Sequence, residues 1–384
     1  MQRNTERILT THCGSLARPK DLLDLMKAKI RGEPYDHNAY NQRVRSAVAE
    51  TVRKQIETGI DIVTDGEQSK PGFFTYVNER LTGFTSKPDA RFNMFADEVA
   101  AFPEYYEQYF SQAVLGGSVA PMVPMVCTGP VSYRGHEALR QDIDNLKAAL
   151  TGVNTEAVFM PAIAPSGAGM NEYYRTEEEY LHAVAEALHL EYQAIVDAGF
   201  LVQIDDPFLT DIYSDSSLSA VEKRKKAEMY VEALNHGLRG IPAEQVRFHT
   251  CYGINEGPRV HDAALKDVVE LMLKVQAGFY SFEAANARHE HEYHLWETVK
   301  LPEGKALIPG VITHASNIVE HPELIAERII RYAKLVGREN VIAGGDCGFS
   351  SQATYNPEVH PTVVWAKFQA MTEGARLATQ QLWR

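Results

Sequence analysis

The chain has 384 residues, 45% of them hydrophobic, and a formal net charge of −13 with no long run of one sign, enough apolar material for a large core and no sign of disorder. An acidic chain without a basic patch argues against binding to a phosphate backbone, and no stretch approaches the ~18 uninterrupted apolar residues of a membrane span, so neither nucleic acid nor a membrane is an expected partner. The start, MQRNTERILTTHCGSLARP, lacks an apolar signal core. The four cysteines, Cys13, Cys127, Cys251 and Cys347, are too few and too widely spaced for a disulfide framework; together these features lead us to expect a cytoplasmic protein.

Short β-branched runs alternate with long amphipathic segments, the pattern of βαβ units on a parallel sheet. The expected strands, in chain order, are Ile8–His12, Ile60–Thr64, Ala157–Ile163, Phe200–Ile204, Val246–Thr250, Gly278–Phe282, Ala306–Pro309 and Asn340–Gly344. Eight strands close a (β/α)8 TIM barrel, and such barrels commonly form one unit in chains of this size, so residues 1–384 are expected as a single domain. The helix before Ile60 ends at Gly59. A helix from Thr176 to Gly199 opens with Thr176 and Glu179 at capping-box spacing and carries Leu181, Val184, Leu188, Ile195 and Val196 as an apolar stripe. Another, after Asn317, has Pro322 near its first turn and Gly337 at its end. Between the second and third strands, residues of about 85–150 break the alternation. The stretch Ala90–Leu115 is rich in Phe and Tyr, and Pro121–Tyr133 holds the strand-like run MVPMVCTGPVSY. These are expected as an insertion, a hairpin and helix packed on the barrel. Counting Met125–Val131 as a barrel strand instead gives nine, which an eight-stranded barrel cannot hold.

Polar residues gather just past the apolar core of the strands, the end that forms the active-site face of β/α barrels: His12, Cys13 and Ser15; Asp65, Gly66 and Glu67; Asp205 and Asp206; His249 and Cys251; Glu283; His314; Asp346 and Cys347. The third strand offers only Ser166. His249 and Cys251 are two apart on one strand, so their side chains share a side. With Glu283 and Cys347 they supply one imidazole, two thiolates and one carboxylate, a sound inner shell for zinc, and the two thiolates favour zinc over magnesium or calcium. The alternative is that the cysteines are small core residues and His249 a hydrogen-bonded core histidine. Thiolate-bound zinc can take a substrate thiol into its shell and keep it ionised at neutral pH, or polarise a water. Glu67 and Asp205 suit an ammonium group, and His314 suits proton donation to a leaving group. The run ARHEHEYHLW, with His289, His291 and His294, looks metal-like but reads better as a solvated loop. His12, beside Cys13, is a candidate acid or supporting group.

The pieces TTHCGS, DIVTDGE, VQIDDP, HTCY, SFE, PGV with the nearby His314, and GGDCG span residues of about 8–350. In them the chain resembles the catalytic C-terminal barrel of the cobalamin-independent methionine synthase family. The resemblance implies zinc held by His249, Cys251, Glu283 and Cys347. It implies that Ser15, Glu67 and Asp205 hold the amino-acid part of homocysteine, and that His314 protonates the departing folate. The sequence departs from that family in having no second, N-terminal barrel and a longer segment between Cys251 and Glu283. Where the family stacks its folate on a tryptophan it has APSGAGMNEYYR, with Tyr173 and Tyr174; Trp296, Trp365 and Trp383 lie elsewhere. The expected partners are therefore a small-molecule thiol and a methyl or alkyl donor, and a homo-oligomer is compatible with the sequence. The chain is also similar to single-barrel relatives, the epoxyalkane:coenzyme M transferases, in length and in its TTHCGS start. That alternative is zinc-dependent opening of an epoxide by a sulfonate thiol, or use of another small methyl donor, with Lys70 and Arg288 as candidate cations. A purely structural zinc is the third reading.

Overall fold

A computed structural model describes residues 6–89, 95–111, 117–120, 123–253 and 256–384. In chain order the strands are β1 (Leu9–Thr10), β2 (Ile62–Val63), β3 (Phe84–Ser86), β4 (Met125–Cys127), β5 (Ala157–Ile163), β6 (Met170–Asn171), β7 (Leu201–Asp205), β8 (Val246–Thr250), β9 (Phe279–Phe282), β10 (Ala306–Ile312) and β11 (Ile342–Gly345). Eight of them form one parallel sheet in the order β1-β11-β10-β9-β8-β7-β5-β2. The sheet curls until its edges nearly meet. There the Asp61 N–H donates to Thr10 O at 3.2 Å, and the Asp61 carboxylate accepts from the Thr10 N–H at 2.8 Å and its hydroxyl at 3.0 Å. This is the expected eight-stranded α/β barrel.

Strand parity sorts the barrel's two faces. Leu9, Ile62, Phe159, Leu201, Phe279, Ala306, Ile308 and Ile342 form one buried cluster inside the barrel near the strands' start. Their neighbours, such as Val202, Ile204, Phe248, Tyr280 and Leu307, belong to the larger layer between strands and helices. Further along the same inward rows the residues turn polar: Gln203 and Asp205 on β7, Arg247 and His249 on β8, Ser281 on β9. Arg247 is fully buried, its guanidinium 3.7 Å from the Phe159 ring centre and donating to Thr11 Oγ1 at 3.0 Å and His12 O at 3.1 Å.

The long helices follow their sequence punctuation. Helix His37–Glu57 is followed by Gly59, and Pro322–Val336 by Gly337, both glycines at positive φ. In helix Glu177–Asp197 the Thr176 hydroxyl accepts from Glu179 N–H at 3.1 Å. The other half of the capping box differs: the Glu179 carboxylate takes the N–H of Arg175 at 3.1 Å.

Between β2 and β5, β3 and β4 pair antiparallel and β6 joins them, making a separate three-stranded sheet. Met125–Cys127 is thus no barrel strand. Part of the aromatic-rich stretch, residues 90–94 and 112–115, and Pro121 and Met122 of the strand-like run lie outside the described residues. The described part forms short helices, Ala96–Ala101 and Pro103–Tyr109, laid on loops that follow barrel strands. Asp97 accepts from Ser216, Glu98 from the His261 N–H at 2.7 Å, and Tyr109 donates to Glu358 at 2.7 Å. Helix His136–Ala149 packs back on His37–Glu57 beside the barrel. Among the described residues no helix is long and apolar enough to cross a membrane.

Candidate functional site

All the residues selected from the strand ends come to the same end of the barrel. His249 is the inward residue near the end of β8 and Cys251 follows it by two; Cys347 follows β11. One ligand atom from each of these three lies within 4.8 Å of the other two. His249 Nδ1 is 3.0 Å from Ser281 Oγ, while its Nε2 is buried without a hydrogen-bond partner among the described residues. A buried ring nitrogen left free beside two sulfur atoms is the arrangement a metal ligand needs, with the serine fixing which nitrogen faces the ion. Contact with the Cys347 thiol, helped by His249, draws the Cys251 thiol well below the usual thiol range; Cys347 is pushed well above it in return. Of the two sulfurs, Cys251 is thus the one that ionises more readily, as a cation ligand must. The donor set therefore fits a divalent ion.

Glu283 follows β9 and heads a second group, with His314 and Asp346, whose ligand atoms also lie within 4.8 Å of one another. Glu283 Oε1 accepts from Tyr252 N–H at 3.2 Å, and Oε2 lies 2.8 Å from both Arg259 Nη2 and Asn286 Nδ2. Asp346 accepts from the N–H groups of Ala284 and Ala285, both at 2.7 Å, and from Asn286 at 3.2 Å. The PGV motif has its glycine here for a steric reason: a Cβ on Gly310 would stand 1.9 Å from Asp346 Oδ1. His314 is buried, and burial lowers it to about 4, so the ring is neutral at pH 7; its Nδ1 has no partner among the described residues.

Across the mouth stand Ser15, Glu67 and Asp205, each less than a tenth exposed. Gly14, at φ +126°, brings the β1 loop against Glu67; a Cβ there would meet Pro161 Cγ at 2.7 Å and Glu67 Oε1 at 3.1 Å. Gln203 Nε2 donates to Cys13 O at 2.6 Å and to Asp205 Oδ1 at 2.9 Å, which fixes the aspartate. Glu67 Oε2 is buried with no partner among the described residues. Burial, with the charge of Glu67 added, raises Asp205 to about 7 against the opposing pull of His249 and Lys70. Glu67 is raised too, by burial and by Asp65, so both buried carboxylates favour a further positive charge. Lys70 supplies some of it but is anchored, donating to Pro161 O at 2.6 Å and lying 4.2 Å from the Tyr76 ring centre. Arg288 is exposed and reaches only Val260 O at 3.5 Å.

Two other sequence candidates stand away from this chemistry. The His12 ring is occupied by Gln55 at 2.8 Å and the Gly14 N–H at 3.2 Å, packing β1 onto the helix His37–Glu57. His289 joins neither metal-capable group among the described residues. It pairs with Asp262 at 3.0 Å and Glu292 at 2.8 Å, which against the lowering effect of burial hold it up at about 9. Sequence reasoning missed Arg18, Arg259, Asn286 and Gln203. Arg18 donates to Glu67 O at 2.8 Å, Lys70 O at 2.9 Å and Ser350 O, tying together the loops after β1, β2 and β11.

The family described as "Cobalamin-independent synthase, Catalytic domain" matches residues 8–157 and 162–367. A methionine synthase of Sulfolobus acidocaldarius is 25% identical over 342 residues, covering 88% of this chain and 85% of its own. One of Saccharolobus solfataricus is 24% identical over 382 residues, covering 98% and 96%. The solved structure of a B12-independent methionine synthase from a Shewanella species, in complex with selenomethionine, superposes with a TM-score of 0.72 at 19% identity over 98% of this chain and 99% of that one; it shares the barrel fold. With the family match running along almost the entire barrel, the chain belongs to the cobalamin-independent methionine synthase family of methyltransferase enzymes.

Proposed function

We propose that the protein is a zinc-dependent S-methyltransferase that activates an amino-acid thiol such as homocysteine and methylates its sulfur. The observation that carries this reading is the convergence, at one barrel mouth, of a sulfur-rich metal-capable group with two cation-seeking carboxylates. His249, Cys251 and Cys347, whose ligand atoms converge, would hold the zinc, with Glu283 from the neighbouring group as the fourth ligand; two thiolates with one imidazole favour that ion. Bound there, zinc stabilises a substrate thiol as the thiolate at neutral pH.

The chain's own residues do the rest. Glu67 and Asp205 take the substrate's ammonium, which offsets their mutual repulsion, and Ser15 closes the third side. The burial of these side chains strengthens their hold on a charged substrate. His314 lies beside the Asp346 carboxylate; its ring is neutral at pH 7, so it takes up a proton from solvent, which the Asp346 charge favours, before passing it to the leaving group. The reduced cysteines suit a cytoplasmic setting.

An epoxide-opening enzyme that uses a sulfonate thiol would want a free cation where this site has carboxylates; Lys70 is anchored and Arg288 exposed. The test is a donor screen on the zinc-loaded protein, with homocysteine and methyl-folate on one side and coenzyme M and an epoxide on the other, followed by mass spectrometry of the sulfur product. Methionine supports the proposal, with a methyl group of chiral label transferred with inversion. Turnover of the epoxide with coenzyme M alone would replace it.

A further inference from the structure

The segment between β8 and β9, which the sequence shows as long, sends a buried cation to Glu283. Arg259 is 4% exposed and adopts a φ of +55°, a conformation that a non-glycine residue keeps only where its surroundings hold it. The hold is visible. Its Nε donates to Asp262 Oδ2 at 2.7 Å, and its Nη2 lies 2.8 Å from Glu283 Oε2. Asp262 is in turn gripped by the His289 ring at 3.0 Å. That ring stacks on Tyr252, the neighbour of Cys251, with centres 3.9 Å apart and planes 8° from parallel. Asp262, His289 and Tyr252 thus hold in place a guanidinium that also reaches the Glu283 carboxylate.

We propose that Arg259 is the positioning residue that receives the Glu283 carboxylate when a substrate thiol takes its place in the metal shell, and that it thereby sets thiol affinity. This rests on the thiol-activating reading above. With a metal bound, the Glu283 carboxylate would leave the shell as the thiol, its proton passing to solvent, took the vacated position. The charge at the ion is unchanged, one anion replacing another, but the freed carboxylate stays buried and needs a partner. Arg259 supplies the charge, and the Asn286 amide with the Tyr252 N–H supplies two more donors. Arg259 itself pairs with Asp262 and Glu283 and not with a sulfur ligand, so it acts on the exchange rather than on the capture of the metal.

The test uses the full-length protein loaded with cobalt(II), whose sulfur-to-metal charge-transfer band counts thiolates, titrated with L-homocysteine. Wild type gains intensity equivalent to one sulfur. In Arg259→Gln the homocysteine dissociation constant rises about 10–100-fold, the usual loss when a group supporting a metal ligand is removed, while cobalt affinity without thiol is kept or strengthened because Glu283 stays bound. Arg259→Lys, which keeps the charge but not the fork, gives an intermediate thiol affinity at unchanged cobalt affinity; it carries the test alone if the glutamine variant does not fold. Cobalt and thiol affinities falling together, or variants that bind thiol as wild type does, would overturn the proposal. A wild type that binds cobalt yet adds no sulfur removes the thiol-activating reading itself, and this inference with it, before any variant is made.

Discussion

The two carboxylates at the mouth give the most demanding prediction, because one substitution moves binding and stability in opposite directions. Glu67→Gln keeps the shape of a side chain that is 2% exposed and whose Oε2 has no partner among the described residues. If the pair holds an ammonium, the variant leaves that cation with Asp205 alone. Truncating one side of a buried charge pair typically costs about 2–5 kcal/mol, so homocysteine affinity should fall by about 30-fold to several thousand-fold. The ligand-free protein responds the other way. Asp205 is held at about 7 rather than 3.8, which corresponds to about 4 kcal/mol against ionisation at neutral pH and above. Burial is the leading cause, so about 1 kcal/mol is a fair share for Glu67. Removing that repulsion should raise the melting temperature by about 1–2 °C in a chain of this size. Calorimetric titration with homocysteine and a thermal scan of the same sample read both effects. A variant that binds homocysteine within about threefold of wild type would refute the ammonium site. One that loses stability and binding together would mark Glu67 as a structural residue.

The same pair predicts a pH dependence. The folded protein holds a proton on Asp205 between about 4 and 7 that the unfolded chain releases, so this group's contribution to stability falls as pH rises through that window. An ammonium ligand expels the proton; affinity for L-methionine, which has no thiol to titrate, should therefore rise from about pH 5.5 to 8 with proton release visible in buffers of different ionisation enthalpy, and a flat profile would contradict it. Cys251→Ser should lose stoichiometric zinc by elemental analysis yet keep a cooperative unfolding transition, because Cys251 itself belongs to neither apolar cluster of the barrel; retained zinc would remove Cys251 from the ligand set. Gly14→Ala, at φ +126° with Pro161 and Glu67 in the way, should destabilise the fold by about 1–3 kcal/mol in denaturant titration and weaken homocysteine binding, and a silent substitution would mean that the β1 loop yields.

The barrel was legible because its signal is repeated and local. Each expected barrel strand overlaps an observed one, and β5 and β8 match at both ends. The shortfalls at both ends are at β1 and β2, two residues each, where one backbone bond and the side chains of Asp61 and Thr11 close the seam; β10 instead runs three residues past its expected end and β11 starts two residues late. The strand-end residues were legible for the same reason: parity aims His249 and Cys251 inward together. Parity also settles the direction of His12, which the sequence left open between an acid and a supporting group: Thr11 and Cys13 face Arg247 and His249, so the residue between them faces the helices. Arg18, Asn286 and Arg259 carry no such signal. Each acts by reaching a carbonyl or carboxylate on a loop from another strand, and only the closed barrel brings those loops together. His289 defeated the sequence because alternating His and Glu looks the same whether the acids are metal ligands or, as with Glu292 and Asp262, partners of a buried imidazolium.

The central claim is that His249, Cys251 and Cys347 hold a zinc that accepts a substrate thiol. Zinc X-ray absorption on the purified protein, with and without homocysteine, tests it most directly. The expected result is about one zinc per chain with two sulfur neighbours, becoming three when the thiol is added. Protein offered zinc that binds none, or a sulfur count that homocysteine and coenzyme M both leave at two, would contradict it.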